Sequence, residues 1–241
     1  MSGGGGAHVR RTWRHVELQF QGDVTQTRMS RWFPQRLHVG YTRTMLAALW
    51  LHPAPRRIGI IGLGGGAQAK FCHRHLPQAC IEVAENNAGV IALRDAFRIP
   101  ADDARLHVAC VDGARWLRGQ RGRFDLLLLD AYDAQGIPAA LSTQAFYDDC
   151  RAALGADGVM ASNLYDTDTR AHLTRLRRSF DGRVLKLDEP GMSNKVAIAW
   201  NGAPHPAPVD AALAALPWAA RGQLRAGFRR LSQAWARSTP H

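Results

Sequence analysis

Residues 58–66 constrain this chain more than any other stretch. A short apolar run, Ile58-Gly59-Ile60-Ile61, passes directly into Gly62-Leu63-Gly64-Gly65-Gly66 and then into a helix-forming segment from Ala67. Glycines between a strand and a helix permit a tight turn and let the backbone approach a ligand closely. Alone, such a turn is a weak signal, because a packing device can have the same form, so its meaning depends on its neighbours in the chain. Beyond it the sequence alternates. Strands expected at 81–84, 106–111, 124–129 and 159–163 interleave with helices at 88–97, 114–117, 143–154 and 170–180, and strands at 183–187 and 195–200 close the series. Residues 124–129 are the most apolar of these, as expected at the centre of a parallel sheet. Phe146, Tyr147, Cys150 and Leu154 fall on one helical face. The pattern predicts an α/β fold: a Rossmann-like, seven-stranded, mostly parallel sheet with helices on both faces and right-handed crossovers. In such sheets ligands bind outside the carboxyl ends of the strands.

The residues at those ends are informative. Gly62, Gly64 and Gly66 form the first turn, and Glu85 follows the second strand, where a carboxylate can accept hydrogen bonds from both ribose hydroxyls. Glu82 is the rival, but it lies inside the strand. Asp112, in Val111-Asp112-Gly113, follows the third strand and suits the adenine amino group; a turn aspartate before glycine is its ordinary explanation. Asp130 ends the most apolar strand, with Asp133 three residues on. Burial and a like-charged neighbour both raise a carboxyl pKa, which makes Asp130 a candidate general base; a loop-capping acceptor is the plainer alternative. Three acidic tips in a row would repel a pyrophosphate, so an adenosyl sulfonium compound fits better than a dinucleotide.

The rest of the chain frames this unit. Residues 1–7 are glycine-rich and read as a disordered leader. Residues 8–50 read as a small N-terminal β segment, with Val16, Leu18 and Phe20 alternating, followed by a helical stretch at 41–51. Residues 51–202 hold the Rossmann-like domain, and 203–241 a basic helical tail interrupted by Pro217. No apolar run reaches membrane-spanning length, no secretory signal is apparent, and a cytoplasmic location is expected. The four cysteines form no CxxC pair and no zinc-ligand spacing, so no metal is expected and the thiols are read as reduced and mostly buried; His73 and His75 are read as surface residues. The net charge of +11 raises nucleic acid as a partner. The positive charge is almost all arginine and is scattered, with clusters only at 10–14 and 221–237, which argues against that partner.

At these residues the chain resembles the spermidine synthase (polyamine aminopropyltransferase) family, within the wider fold of class I S-adenosylmethionine-dependent methyltransferases. The resemblance spans roughly 37–200. It is carried by His52-Pro53-Ala54-Pro55-Arg56-Arg57 leading into the glycine turn, Glu85, Val111-Asp112-Gly113, the run from Phe124 through Asp130-Ala131-Tyr132-Asp133, Gly136-Ile137-Pro138-Ala139, and Leu141-Ser142-Thr143-Gln144-Ala145-Phe146-Tyr147. It implies that decarboxylated S-adenosylmethionine or S-adenosylmethionine is the cosubstrate and a small-molecule amine the acceptor. Glu85 would bind ribose, Asp112 and Gly113 the adenine side, Asp130 would deprotonate the amine, and Asp133 and Tyr41 would contact it. Family members commonly dimerise, which leaves a homodimer open.

Two departures affect the amine half. Family enzymes usually carry Asp where Gly65 stands, contacting the aminopropyl chain and repelling the carboxylate of ordinary S-adenosylmethionine. The family's Tyr-x-Glu appears as Tyr41-Thr42-Arg43, one residue out of register, with Arg43 in place of an acid. Aminopropyl transfer, methyl transfer from S-adenosylmethionine, and a catalytically idle binding or regulatory domain are therefore the three functions to be distinguished.

Overall fold

The structure, a computed structural model, describes residues 8–19, 25–133, 136–165 and 167–238. The leader expected at 1–7, and Phe20, lie outside the described residues. The N-terminal β segment is a three-stranded antiparallel sheet of β1 (His8–Arg11), β2 (His15–Gln19) and β3 (Thr25–Ser30). Helix α1 (Gly40–Met45) runs into a 3-10 turn, Leu46–Trp50.

The main unit is built from β4 (Arg57–Ile61), α2 (Ala67–His75), β5 (Cys80–Glu85), α3 (Ala88–Ile91), β6 (Leu106–Cys110), α4 (Gly113–Leu117), β7 (Phe124–Leu129), α5 (Gln144–Ala153), β8 (Leu154–Leu164), α6 (Thr169–Ser179), β9 (Val184–Asp188) and β10 (Lys195–Trp200). The tail forms α7 (Val209–Ala214) and α8 (Trp218–Ser238), separated at Pro217. The seven strands lie in the order β6-β5-β4-β7-β8-β10-β9. The first five are mutually parallel, and β10 is antiparallel to both of its neighbours.

Strand alternation sends successive side chains to opposite faces. Ile58, Ile60, Leu126 and Leu128 join one core with the N-terminal sheet, α1, α2 and α8. Ile61, Leu127, Leu129 and Met160 join the other with α4, α5 and α6. The tail helix is part of the first core through Ala220, Leu224, Phe228 and Leu231. Burying a Leu or Phe side chain stabilises by roughly 1.5–3 kcal/mol, so Leu224, Phe228 and Leu231 alone hold α8 firmly in place.

Several expectations need correction. The helix expected at 88–97 ends at Ile91. Beyond it the backbone bonds tighten, Leu93 N donating to Val90 O and Arg94 N to Ile91 O, as the chain turns Phe97 and Ile99 under the glycine loop. Strand β8 begins at Leu154 rather than 159, the irregularity lying opposite Phe124–Leu126. His75 is buried against Phe71 rather than on the surface. Only Cys72 and Cys150 are buried; Cys80 and Cys110, at the two ends of strands toward the sheet's edge, are exposed.

Candidate active site

Topology lines up the sequence-predicted residues on one rim. Because β6, β5, β4 and β7 are adjacent and parallel, their carboxyl ends emerge side by side. Each exit is tied to its neighbour: Val111 N donates to Glu85 O, Gly62 N to Ala84 O, and Asp130 N to Ile61 O, all at 2.9 Å. Asp112, Glu85, Gly62 and Asp130 therefore stand in that order along a single edge. Gly62, Gly64 and Gly66 all have positive φ (93°, 48° and 64°), a turn that side-chain-bearing residues adopt only under strain. At Gly62 a Cβ would also sit 2.3 Å from the Asp130 carbonyl oxygen, so this glycine sets the closeness of the two strand exits.

The half nearest β5 and β6 is held by backbone. Glu85 is buried, with Oε2 accepting from Leu63 N (2.8 Å) and Oε1 from Asn87 N (2.9 Å). It thereby pins the glycine turn, and each oxygen keeps a lone pair for a further donor. Its rival Glu82 is occupied by Arg123, whose Nη2 donates to both carboxylate oxygens at 2.8 and 2.9 Å. Asp112 is exposed and caps α4, Oδ1 accepting from Arg115 N at 2.8 Å, so the ordinary turn role is present as well. Gly113 is buried as the first residue of α4.

The half around β7 is built from side chains. Half-buried Asp130 is ringed by three donors: Tyr41 Oη (3.2 Å) and Gln68 Nε2 (2.9 Å) on Oδ2, and Asn163 Nδ2 (3.0 Å) on Oδ1. Burial raises its pKa from 3.8 to about 6, against the pull of these hydrogen bonds. Burial, rather than the like-charged Asp133 expected from the sequence, drives the rise. Asp133 is exposed and bridged through its backbone to Gly136. Tyr41 bonds Asp130 directly; its own hydroxyl is held well above its usual pKa by burial and then by the Asp130 charge. Asn163 Oδ1 in turn accepts from Asn194 Nδ2 at 2.9 Å, which links the β9–β10 loop to the site.

Gln68, Asn163, Asn194 and Thr27 were not singled out from the sequence. Asn163 had a usable signal, since it lies at the carboxyl end of the strand next to β7. Thr27 had none, because its position depends on β3 folding over the glycine turn. A Cβ on Gly65 would lie 2.3 Å from Thr27 Cγ2 and 3.0 Å from Phe97 Cδ1. The space a side chain at 65 would take is thus filled by the N-terminal sheet. Arg43 turns away to the chain at Leu37 and His38, its Nε donating to Leu37 O at 2.8 Å. Thr44, one residue on, bonds buried Glu189, and Arg230 of α8 reaches both, donating to Glu189 Oε2 at 3.0 Å.

Comparison with known proteins identifies the family and the fold. The sequence model of the spermine/spermidine synthase domain matches residues 40–173. A polyamine aminopropyltransferase of Neisseria meningitidis serogroup A is 32% identical over 197 residues, covering 80% of this chain and 75% of that one. A probable spermidine synthase from Corynebacterium glutamicum superposes with a TM-score of 0.73 at 17% identity, over 87% of this chain and 82% of that one. Human methyltransferase-like protein 13, solved with SAH, gives a TM-score of 0.64 at 20% identity, over 79% and 93%. Among the described residues no helix is long and apolar enough to cross a membrane.

Proposed function

The chain belongs to the spermine/spermidine synthase family, and we propose that it moves an aminopropyl group from decarboxylated S-adenosylmethionine to an amine. The observation that carries this is Asp130: a carboxylate at the mouth of the central strand, its pKa raised to about 6, beside a glycine turn pinned by Glu85. Glu85 would accept from the ribose hydroxyls, and Asp112 with Gly113 would meet the adenine. The amine nitrogen attacks the carbon next to the sulfonium, and the carbon–sulfur pair leaves on sulfur as the neutral thioether methylthioadenosine. The amine's proton passes to Asp130. No general acid is required, so alignment and a base suffice. Raising the pKa of Asp130 by about two units makes that proton transfer about 100-fold less unfavourable than to an ordinary aspartate. Tyr41, expected as a contact to the amine, is better placed to orient Asp130, and Asp133 remains the candidate for the far end of a cationic amine.

A second function, methyl transfer from S-adenosylmethionine, is favoured by one observation. Thr27 fills the place of the family's aspartate at Gly65, so no carboxylate there repels the carboxylate of the undecarboxylated cosubstrate. The fold is shared by solved neighbours of both kinds, a methyltransferase-like protein and a probable spermidine synthase. Mass-spectrometric product analysis decides it, with each cosubstrate offered alongside a panel of amines. An added aminopropyl group supports the first function; methylated amine, or no product, refutes it.

A further inference from the structure

We propose that Gln68 is a second acceptor for the incoming amine, so that the reacting nitrogen is held between the Asp130 carboxylate and the Gln68 side-chain carbonyl. The inference rests on the amine-acceptor function above and adds a specificity-determining residue to it.

Gln68 is the second residue of α2 and is 5% exposed. Its amide nitrogen is fully used, donating to Asp130 Oδ2 at 2.9 Å and to Met45 Sδ at 3.2 Å. The Asp130 charge fixes which end of the amide faces it, since an oxygen there would be repelled. The other end, Oε1, is buried and accepts no hydrogen bond among the described residues. A buried carbonyl without a donor is unfavourable, and a ligand that supplies the donor recovers that free energy. Asp130 Oδ1, which among the described residues accepts from Asn163 Nδ2 alone, has acceptor capacity left.

Two acceptors sharing one amide link select for a group with two hydrogens to give. A hydroxyl has one and a tertiary amine none. A neutral primary amine has two, and its lone pair is then left for the sulfonium carbon. As the nitrogen–carbon bond forms and the carbon–sulfur bond breaks onto sulfur, one of those hydrogens passes to Asp130 as a proton. Gln68 keeps the other.

The test compares wild type with Gln68→Met and Gln68→Glu, using 1,4-diaminobutane and its N,N′-dimethyl counterpart as acceptors and both cosubstrates. Gln68→Met is expected to raise KM for the primary diamine by about 10- to 100-fold and to erase the preference over the dimethylated diamine. Its affinity for methylthioadenosine, measured by calorimetry, should stay within about twofold, which also confirms folding. Gln68→Glu keeps an acceptor oxygen, so KM should return toward wild type while the acidic limb of the pH–rate profile moves upward, because a second carboxylate raises the pKa of Asp130. Unchanged KM and unchanged preference in Gln68→Met, with or without a fall in kcat, would overturn the proposal and leave Gln68 as a strut for Asp130. No transfer to any amine by wild type with either cosubstrate would instead overturn the amine-acceptor function itself.

Discussion

Replacing Asp130 by Asn separates the chemistry of the site from its architecture, and stability against pH provides the sharper readout. In the folded chain the Asp130 carboxyl has its pKa raised from 3.8 to about 6. Between those values the folded state binds the proton that the unfolded state has already released, so this group's contribution to stability falls as pH rises through that window. Two pKa units correspond to about 3 kcal/mol, an upper bound because Asp130 is only half-buried. Asn cannot titrate. It also faces Tyr41, Gln68 and Asn163 with one acceptor oxygen instead of two, which costs about 1–3 kcal/mol at every pH. The difference in unfolding free energy between variant and wild type removes all other titrating groups, and it should move in favour of Asn by up to about 3 kcal/mol from pH 4 to pH 7.5. Urea unfolding at closely spaced pH values measures it. Turnover in the same variant should fall by about 10²–10⁴, the usual contribution of a general base. Wild-type activity should decline below pH 6, with about one tenth of the base ionised one pH unit lower. A stability difference flat across pH would show that Asp130 is not the group titrating near 6, and unchanged turnover would remove it as the base.

Three further outcomes are expected. Gly62→Ala places a methyl 2.3 Å from the Asp130 carbonyl at a φ of 93° and should destabilise by about 2–4 kcal/mol, read as a drop in Tm. Gly65→Asp alone should be poorly tolerated because of Thr27, whereas Gly65→Asp with Thr27→Gly should raise the kcat/KM ratio for decarboxylated over ordinary S-adenosylmethionine by about tenfold or more; an unchanged ratio would refute the electrostatic filter. Arg230→Met strips buried Glu189 of its counter-charge and should cost about 2–4 kcal/mol in urea unfolding, showing that α8 is integral to the fold.

What the sequence revealed divides along the same line as the site. Glu85, Asp112 and Asp130 could be placed because each is the exit residue of a strand, and a parallel sheet brings such exits together whatever surrounds them. Gln68 and Thr27 could not, because each acts across a long loop in sequence: Gln68 meets Asp130 from 62 residues away, and Thr27 meets Gly65 from 38. Arg43 misled for a related reason. Its position in the tripeptide implies the loss of an acid facing the amine, but a one-residue shift in register on a helix swings a side chain by about 100°, and the neighbouring Thr44 takes the inward place beside Glu189. Local pattern locates backbone-defined positions, whereas side chains meeting across the site depend on packing that no local pattern encodes.

A net charge of +11 should repel a sulfonium and an ammonium alike, yet geometry resolves the conflict. Arg56, Arg57, Arg121 and Arg123 line a shallow cleft at the amino ends of β4 and β7. Asp125 stands among them, whereas Glu85, Asp112 and Asp130 stand at the opposite ends of the same sheet. Strands of this length span roughly 17–20 Å, about twice the Debye length of about 8 Å at physiological ionic strength. Through solvent, those four arginines are therefore largely screened from a cation approaching the other end, where Glu85, Asp112, Asp130 and Asp133 stand. Net charge therefore does not by itself set the sign of ligand that the acidic rim admits.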